Sequence, residues 1–593
     1  MSYVAPVARM LFDLEHIAGL PGPGAAGADG LDYDSLRQVL EEAGRFAASE
    51  LAPINVIGDR EGARFENGVV RLPKEFRAAY RAWAEAGWNS VDAPVAEGGM
   101  GLPFRIATAV MEMWASACMS FAMGPVLSQG AVDVLLLHAS ADLKRRYLPK
   151  LISGEWMATM NLTEPQAGSD LGALRTRAER AGDGTYRIRG QKIFISFGEH
   201  DLTDNIIHLV LARLPDAPPG TRGISLFLVP KIHVRDDGAP GAHNDVRCAG
   251  IEHKTGIHAS PTCTMVYGDG GGAVGYLIGE EHKGLACMFT MMNKARLYTG
   301  LQGVCLAERA LQQATAFAFE RRQGRPAGEK ESVAQAPIIT HPDVRRNLMT
   351  MRALTAAARG VAYYTAGVID AALHGGDAAS RAASDERAGL LTPIVKAFCT
   401  EAGVEVTSLN VQIHGGMGYV EETGAIQHWR DSRIAPIYEG TNGIQAIDLV
   451  TRKITRGGGR ELSRMLAEWR VLGVDLAAQD IMPARSAGQL GAVLDMLDRA
   501  TAEVTRTDRA PDDILAVATP YLRLFSLAAG AATLAQGALA AAGLPPTDPS
   551  WQLGRRVIED ARFYYDNILP MAGAHFASIE AGSASVCLPE SFQ

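Results

Sequence analysis

Apolar and polar positions along the chain change their period twice, and each change marks a different architecture. From residue 34 to about 158 the spacing is helical. Leu36, Val39, Leu40, Phe46 and Leu51 recur about a turn apart, and Pro53 predicts the end of that helix. Phe76, Tyr80, Trp83 and Ala84 make another helix, 94–103 with its glycines a loop, and 111–137 a run of buried helices. From 159 to 270 the period falls to two. Strands are predicted at 186–196 after an Asp183-Gly184 hairpin turn, at 206–214, at 223–230 and at 262–267. Residues 268–275 read as a flexible glycine loop. From 284 the period is helical again, with long helices at 288–319, 342–373 and 391–413. Residues 460–593 form a further Ala-rich helical unit after an Arg456-to-Arg460 linker. Residues 1–35 read as an irregular arm with one or two helical turns at 7–14, broken by Pro21 to Gly27.

This pattern predicts an α+β chain with five parts. They are an arm (1–35), an N-terminal helical domain (36–158), a small central β-barrel or sandwich (159–283), a helical bundle (284–457) and an extra C-terminal helical domain (458–593). The length of 593 residues agrees, being too great for a single core. Net charge is −9 with no dense basic run, which argues against nucleic acid or an anionic membrane as the main partner. Seven cysteines without a Cys-x-x-Cys pair read as packed thiols of a cytoplasmic protein, and the N-terminus lacks the signature of a signal peptide. Residues 524–544 are long and uncharged enough to weigh as a membrane span. Their Ala- and Gly-rich composition favours close helix packing instead.

The chemistry concentrates in five stretches. Glu439 stands between apolar Ile434, Pro436 and Ile437 and a Gly440-Thr441-Asn442-Gly443 turn, at a loop-to-helix junction. Apolar surroundings raise a carboxyl's proton affinity and make it a stronger base; position alone equally allows a helix-entry carboxylate facing the dipole. Thr163 to Asp170 is a polar loop whose small residues admit backbone N–H groups to a ligand, or a plain capping turn. Phe194 and Ser196 lie on one side of a strand end. Gln412 to Tyr419 is a glycine-rich loop after a helix, without dinucleotide-fingerprint spacing. Glu320 to Arg325 is a basic helix end that suits either the helix dipole or a pyrophosphate. His253 and His258 lack the partners of a zinc site, and Gly168 to Gly172 is not a nucleophile elbow.

In order, Thr163-Glu164-Pro165-x-Ala167-Gly168-Ser169-Asp170, Lys192-x-Phe194-Ile195-Ser196, Gln412-x-x-Gly415-Gly416-x-Gly418 and Ile437-Tyr438-Glu439-Gly440-Thr441 resemble the acyl-CoA dehydrogenase family over about 35–455. The N-terminal Ser2-Tyr3-x-Ala5-Pro6, the run from Phe194 to Leu202 and the extra C-terminal unit resemble a longer bacterial subclass that includes 3-methylmercaptopropionyl-CoA dehydrogenases. The resemblance implies FAD, an acyl-CoA substrate, an electron-transfer flavoprotein as acceptor and a homo-oligomer, with a dimer favoured. It implies that Glu439 removes the α-proton while the β-hydrogen leaves as hydride, giving trans-2-enoyl-CoA. Its FAD contacts map onto Met160, Leu162, Thr163, Ser169, Phe194, Ile195, Ser196, Arg321, Gln323, Gln412, Gly415, Gly416 and Thr441, some across a subunit contact. Its substrate contacts map onto Ser169, Asn293, Arg296 and Gly440. No metal is implied.

The chain departs from the family pattern at several positions. Phe194 stands for a Trp and Ser196 for a Thr, which keeps the aromatic face and the hydroxyl. Gly443 and Gly324 replace a Gln and a Phe. Ala295 occupies the position of an alternative Glu base, which strengthens Glu439. Rival readings are a medium- or long-chain acyl-CoA dehydrogenase, an acyl-CoA oxidase and a non-catalytic DNA-associated flavoprotein. The mixed charge of 460–593 disfavours the last.

Overall fold

The computed structural model of the chain describes residues 3–22, 32–235, 237–326, 328 and 335–586. The N-terminal part comprises α1 (Val7–His16), α2 (Tyr33–Phe46), α3 (Ala52–Glu61), α4 (Lys74–Glu85), α5 (Phe104–Ala117), α6 (Met119–His138) and α7 (Ala141–Ile152). A hairpin of β1 (Arg64–Glu66) and β2 (Val69–Arg71) interrupts them. Its Asn67-Gly68 turn, with both residues at positive φ, is the local reason for the strands inside a helical region. Pro53 does not stop a helix. It enters the first turn of α3, where its missing N–H is not needed, while Ala47–Leu51 widens into a π turn. The helical turns expected at 7–14 form α1, while most of the expected break from Pro21 to Gly27 lies outside the described residues. Helix α1 buries Met10, Leu11 and Leu14, and Arg9 bonds buried Asp13 at 2.9 Å and Asp560 at 3.1 Å.

The β region comprises β3 (Met157–Asn161), β4 (Arg177–Arg180), β5 (Tyr186–Ser196), β6 (Ile206–Arg213), β7 (Ile224–Pro230), β8 (Ile232–Val234), β9 (Pro240–His243), β10 (Val246–Ile251), β11 (Thr262–Tyr267) and β12 (Ala273–Ile278). The main sheet runs β10-β11-β5-β12-β7-β6-β3, with β4 paired to β5 and β6. Strands β6 and β7 are almost wholly buried on both faces, so apolar residues occupy successive positions, interrupted inside by buried His208 and Ser225. The predicted glycine loop ends early, because Ala273 begins β12 and pairs with Ile188.

The bundle is built on α8 (Gly284–Glu320), α9 (Pro342–His374) and α10 (Ala378–His414), followed by α11 (Ala425–Ser432) and α12 (Asn442–Asp448). Gly303 of α8 presses on α10 so closely that a Cβ would meet the Cys399 oxygen at 2.0 Å. Inside, Arg359 bonds Glu112 at 2.7 Å and Glu308 at 2.7 Å, a buried triad joining α9, α5 and α8. The C-terminal domain comprises α13 (Arg460–Ala478), α14 (Ala484–Ala487), α15 (Gln489–Val504), α16 (Pro511–Ala542), α17 (Trp551–Asn567) and α18 (Met571–Ala581). Helices α6 and α16 are long and apolar enough to cross a membrane, yet 78% and 83% of their most apolar windows are buried inside the fold. In α16 the span weighed from the sequence packs instead against α15, α17 and α18.

Candidate active site

Glu439 sits where two helical segments are joined by a tight turn. Tyr438 N donates to Ile434 O at 3.2 Å, and Asn442 N donates to Pro436 O at 3.0 Å. Thr441 then caps α12, accepting from Ile444 N at 3.2 Å. The turn forces Glu439 to φ +56° and Gly440 to φ +81°. A left-handed glutamate is held against its preference, and such residues cluster at functional sites. Buried Gln445 secures the strained segment by donating to Glu439 O at 3.2 Å and Gly440 O at 3.3 Å. Among the described residues, neither the Glu439 carboxylate nor its N–H has a hydrogen-bond partner.

Two cations face this carboxylate. Arg296 of α8 is buried, and its Nη1 lies 3.6 Å from Asp448 Oδ2 while its Nε has no partner. Lys396 of α10 is fully buried, and its Nζ donates to Asn442 Oδ1 at 2.9 Å. Burial pushes the Glu439 carboxyl above the usual range, although both cations pull it down. Burial draws the Lys396 ammonium down to about 7, opposed by the charge of Glu439.

The second half of the site is the end of β5. A register shift opposite Cys263 and Met265 falls between Lys192 and Ile195, and there Phe194 adopts φ +59°. Phe194 is 58% exposed, an unusual place for a phenylalanine and a ready stacking face. Ser196 is half-buried and Ile195 buried beside it. The polar loop is fastened to this strand: Ile193 N donates to Thr163 O at 2.9 Å, and buried Lys192 donates to Leu162 O at 2.9 Å and Glu164 Oε1 at 2.8 Å. Glu164 also accepts from Thr176 Oγ1 and Arg175 N, both at 2.6 Å. Burial raises its carboxyl, but Lys192 and these donors outweigh burial and hold it at about 2. Met160 is half-buried on β3, and Ser169 is exposed. Helix α6 links the halves, with Met123 against Tyr438 and the neighbouring Gly124 against Met157 and Phe197.

Other expected contacts lie elsewhere. Arg321 and Gln323 follow the end of α8, and Gln412, Gly415 and Gly416 close α10; all are exposed. Phe317 stacks on His414 at 4.1 Å, which brings these two ends together. Given ~1.5 Å rise per residue, Gln412 lies roughly 24 Å along α10 from Lys396, and Arg321 roughly 37 Å beyond Arg296. One chain therefore does not gather every expected contact into one pocket. The Asn293 side chain lies outside the described residues. The donor set nevertheless suits a flavin dinucleotide: a guanidinium, two amides and open glycine N–H groups for phosphate, and hydroxyls and an exposed ring for the flavin. Lys396, Gln445 and Lys192 were not picked out as site residues from the sequence. A lone lysine inside the apolar run 391–413 is the signal that points to Lys396.

Comparison with known families agrees along the chain. Residues 33–155, 159–269 and 282–454 match the acyl-CoA dehydrogenase N-terminal, middle and C-terminal domains, and 474–588 match the acetyl-CoA dehydrogenase C-terminal-like domain. A 3-methylmercaptopropionyl-CoA dehydrogenase of Ruegeria pomeroyi is 51% identical over 78% of this chain and 78% of that protein. A butyryl-CoA dehydrogenase of Syntrophomonas wolfei is 36% identical over 91% of this chain and 90% of that protein. The crystal structure of an acyl-CoA dehydrogenase complexed with FAD from Bacillus anthracis, 21% identical, superposes with a TM-score of 0.75 over 92% of this chain and 88% of that one. Four consecutive domain matches and half-identity over most of the length show that this chain belongs to the acyl-CoA dehydrogenase family.

Proposed function

We propose that Glu439 is the base of an FAD-dependent α,β-dehydrogenation that converts an acyl-CoA thioester to trans-2-enoyl-CoA. The carrying observation is an unpartnered carboxylate at a strained turn, of raised proton affinity and flanked by Arg296 and Lys396. An α-proton of a thioester is weakly acidic, so its removal needs a strong base and a donor for the developing oxyanion. The carboxylate of Glu439 supplies the first, and its own unpartnered N–H is placed to supply the second. FAD, when bound, supplies the acceptor for the hydride that leaves the β-carbon. Phe194, Ser196 and Thr163 orient it from the β side, and Arg321, Gln323 and Gln412 to Gly416 hold its phosphate end from a neighbouring subunit. The distance between those residues and Glu439 within one chain supports a homodimer. Arg296, with its unpartnered Nε, is the proposed cationic contact along the bound CoA, beside Ser169, Asn293 and Gly440.

The most specific substrate in this proposal is 3-methylmercaptopropionyl-CoA, supported by the half-identical relative of that name. An electron-transfer flavoprotein is the proposed acceptor. The cytoplasm is the proposed location, in keeping with the buried free thiols of Cys118, Cys248, Cys263, Cys287, Cys305 and Cys399. Steady-state kinetics with 3-methylmercaptopropionyl-, butyryl-, octanoyl- and palmitoyl-CoA, with the enoyl product identified by mass, test the assignment. Turnover confined to long chains would remove the substrate proposal, and rapid peroxide formation would make the enzyme an oxidase.

A further inference from the structure

The outer side of the β domain carries a charge arrangement that works against the fold. Strands β4 and β5 pair with Arg177 directly opposite Arg189, and on its other side Arg177 lies opposite Arg213 of β6. Like charges that face each other across strands are destabilising. Arg213 is held by backbone carbonyls, donating to Gly172 O at 2.8 Å and Leu174 O at 3.2 Å. Arg177 and Arg189 are exposed. Among the described residues the Arg177 guanidinium has no hydrogen bond and no carboxylate, and Arg189 donates only to Gly271 O at 2.7 Å. Two more exposed arginines adjoin this pair. Arg175 is exposed next to Arg177, with only buried Thr176 between them. Arg222 follows Gly220, whose Cα lies 3.6 Å from where a Cβ on Gly172 would stand. Neither guanidinium has a carboxylate partner among the described residues. The patch continues towards the proposed flavin ring. Arg189, Gln191 and Phe194 are exposed along β5, while Ile188, Lys192 and Ile195 are buried. Five residues separate Arg189 from Phe194, roughly 17 Å of strand.

We propose that Arg175, Arg177, Arg189 and Arg222 form the docking surface for an acidic face of the soluble flavoprotein that takes the electrons of the reduced FAD. The proposal rests on the electron-acceptor reading above and adds where that acceptor binds and by what charge. In a chain of net charge −9, four arginines without carboxylates are a local exception. Their place beside Phe194 favours a redox protein over nucleic acid or a lipid surface. Carboxylates of the acceptor would relieve the repulsion between Arg177 and Arg189, so the arrangement that costs the free enzyme stability favours the complex. Complementary patches of this kind raise association rates by about ten- to a thousandfold, and the gain falls steeply with ionic strength.

The test follows reoxidation of the FAD-loaded, full-length enzyme, reduced by acyl-CoA, with a bacterial electron-transfer flavoprotein and with ferricenium, a small cationic acceptor. In the wild type, kcat/KM for the flavoprotein is expected to fall as ionic strength rises. Arg177→Glu combined with Arg189→Glu lowers it about tenfold or more at low salt and flattens the salt dependence. Flavin reduction by acyl-CoA and turnover with ferricenium stay at the wild-type rate. Arg177→Gln removes the repulsion without reversing charge, so it melts no lower than the wild type and gives a smaller loss in the same direction. It serves where the double reversal fails to fold. Unchanged flavoprotein kinetics in the flavin-loaded variants, or an equal loss with ferricenium, overturns the docking role. Unchanged kinetics together with lost binding to anionic vesicles or duplex DNA assigns the patch to another partner and overturns it equally. A wild type that acyl-CoA reduces but no electron-transfer flavoprotein reoxidises overturns the acceptor reading and this proposal, and leaves the dehydrogenase reading intact.

Discussion

Lys396 Nζ donates to Asn442 Oδ1 at 2.9 Å, which ties the middle of α10 to the turn that carries Glu439. The bond serves two ends: it fixes the first residue of α12, and it places a buried cation near the carboxylate. Lys396→Met removes that cation and raises the proton affinity of Glu439. The acidic limb of the kcat/KM profile then moves up by roughly one pH unit, the lower end of what a nearby opposite charge contributes. A limb that stays in place while flavin content is normal would leave Lys396 a purely structural bond.

Phe194 is predicted to hold the flavin rather than the fold. It is largely exposed and its φ is left-handed, so truncation removes little core packing. Phe194→Ala should weaken FAD binding about tenfold, the equivalent of roughly 1.4 kcal/mol, with an unchanged apoprotein melting temperature. Titration of the apoprotein with FAD measures this.

The Glu164–Lys192 pair carries a pH-dependent share of stability. The folded pKa of Glu164 is lowered from 4.5 to about 2. Its contribution is therefore complete above about pH 4.5 and disappears as pH falls towards 2. Glu164→Gln should lose about 3–5 kcal/mol at neutral pH, because it strands the buried Lys192 cation. Denaturation at pH 7 and pH 3 should show a smaller gap between variant and wild type at the lower pH.

Arg359 belongs to the scaffold. Removing it leaves Glu112 and Glu308 as buried carboxylates without their cation. Arg359→Met is predicted to cost about 3–5 kcal/mol and to lower the melting temperature, whereas replacing all three by apolar residues of similar volume should cost much less.

The legible part of this chain was its local part. Helical period, strand period and the Thr441 cap are set by residues within a few positions of one another, so the layers and the Glu439 junction could be read directly. The Asn67-Gly68 turn was equally local, but it lay inside a helical stretch that masked it. Pro53 misled because a proline that ends one helix and a proline that begins the next look alike without the intervening π turn. Lys396 stayed hidden for a different reason. It acts through a partner far along the chain, Asn442, and a single polar residue in an apolar helix does not announce which distant turn it meets. The helical turns of the arm were legible at 7–14, but their anchor was not, because Asp560 lies at the other end of the sequence.

The most direct measurement is anaerobic stopped-flow bleaching of the flavin by a short acyl-CoA in wild type and Glu439→Gln. The glutamine is nearly isosteric and keeps the turn, but it cannot accept the α-proton. Rapid bleaching in the wild type and a loss of at least roughly 10⁴-fold in the flavin-loaded variant are predicted, the upper range for a positioned general base. Bleaching at a wild-type rate in Glu439→Gln would mean that another group takes the proton, and the site built around Glu439 would be wrong.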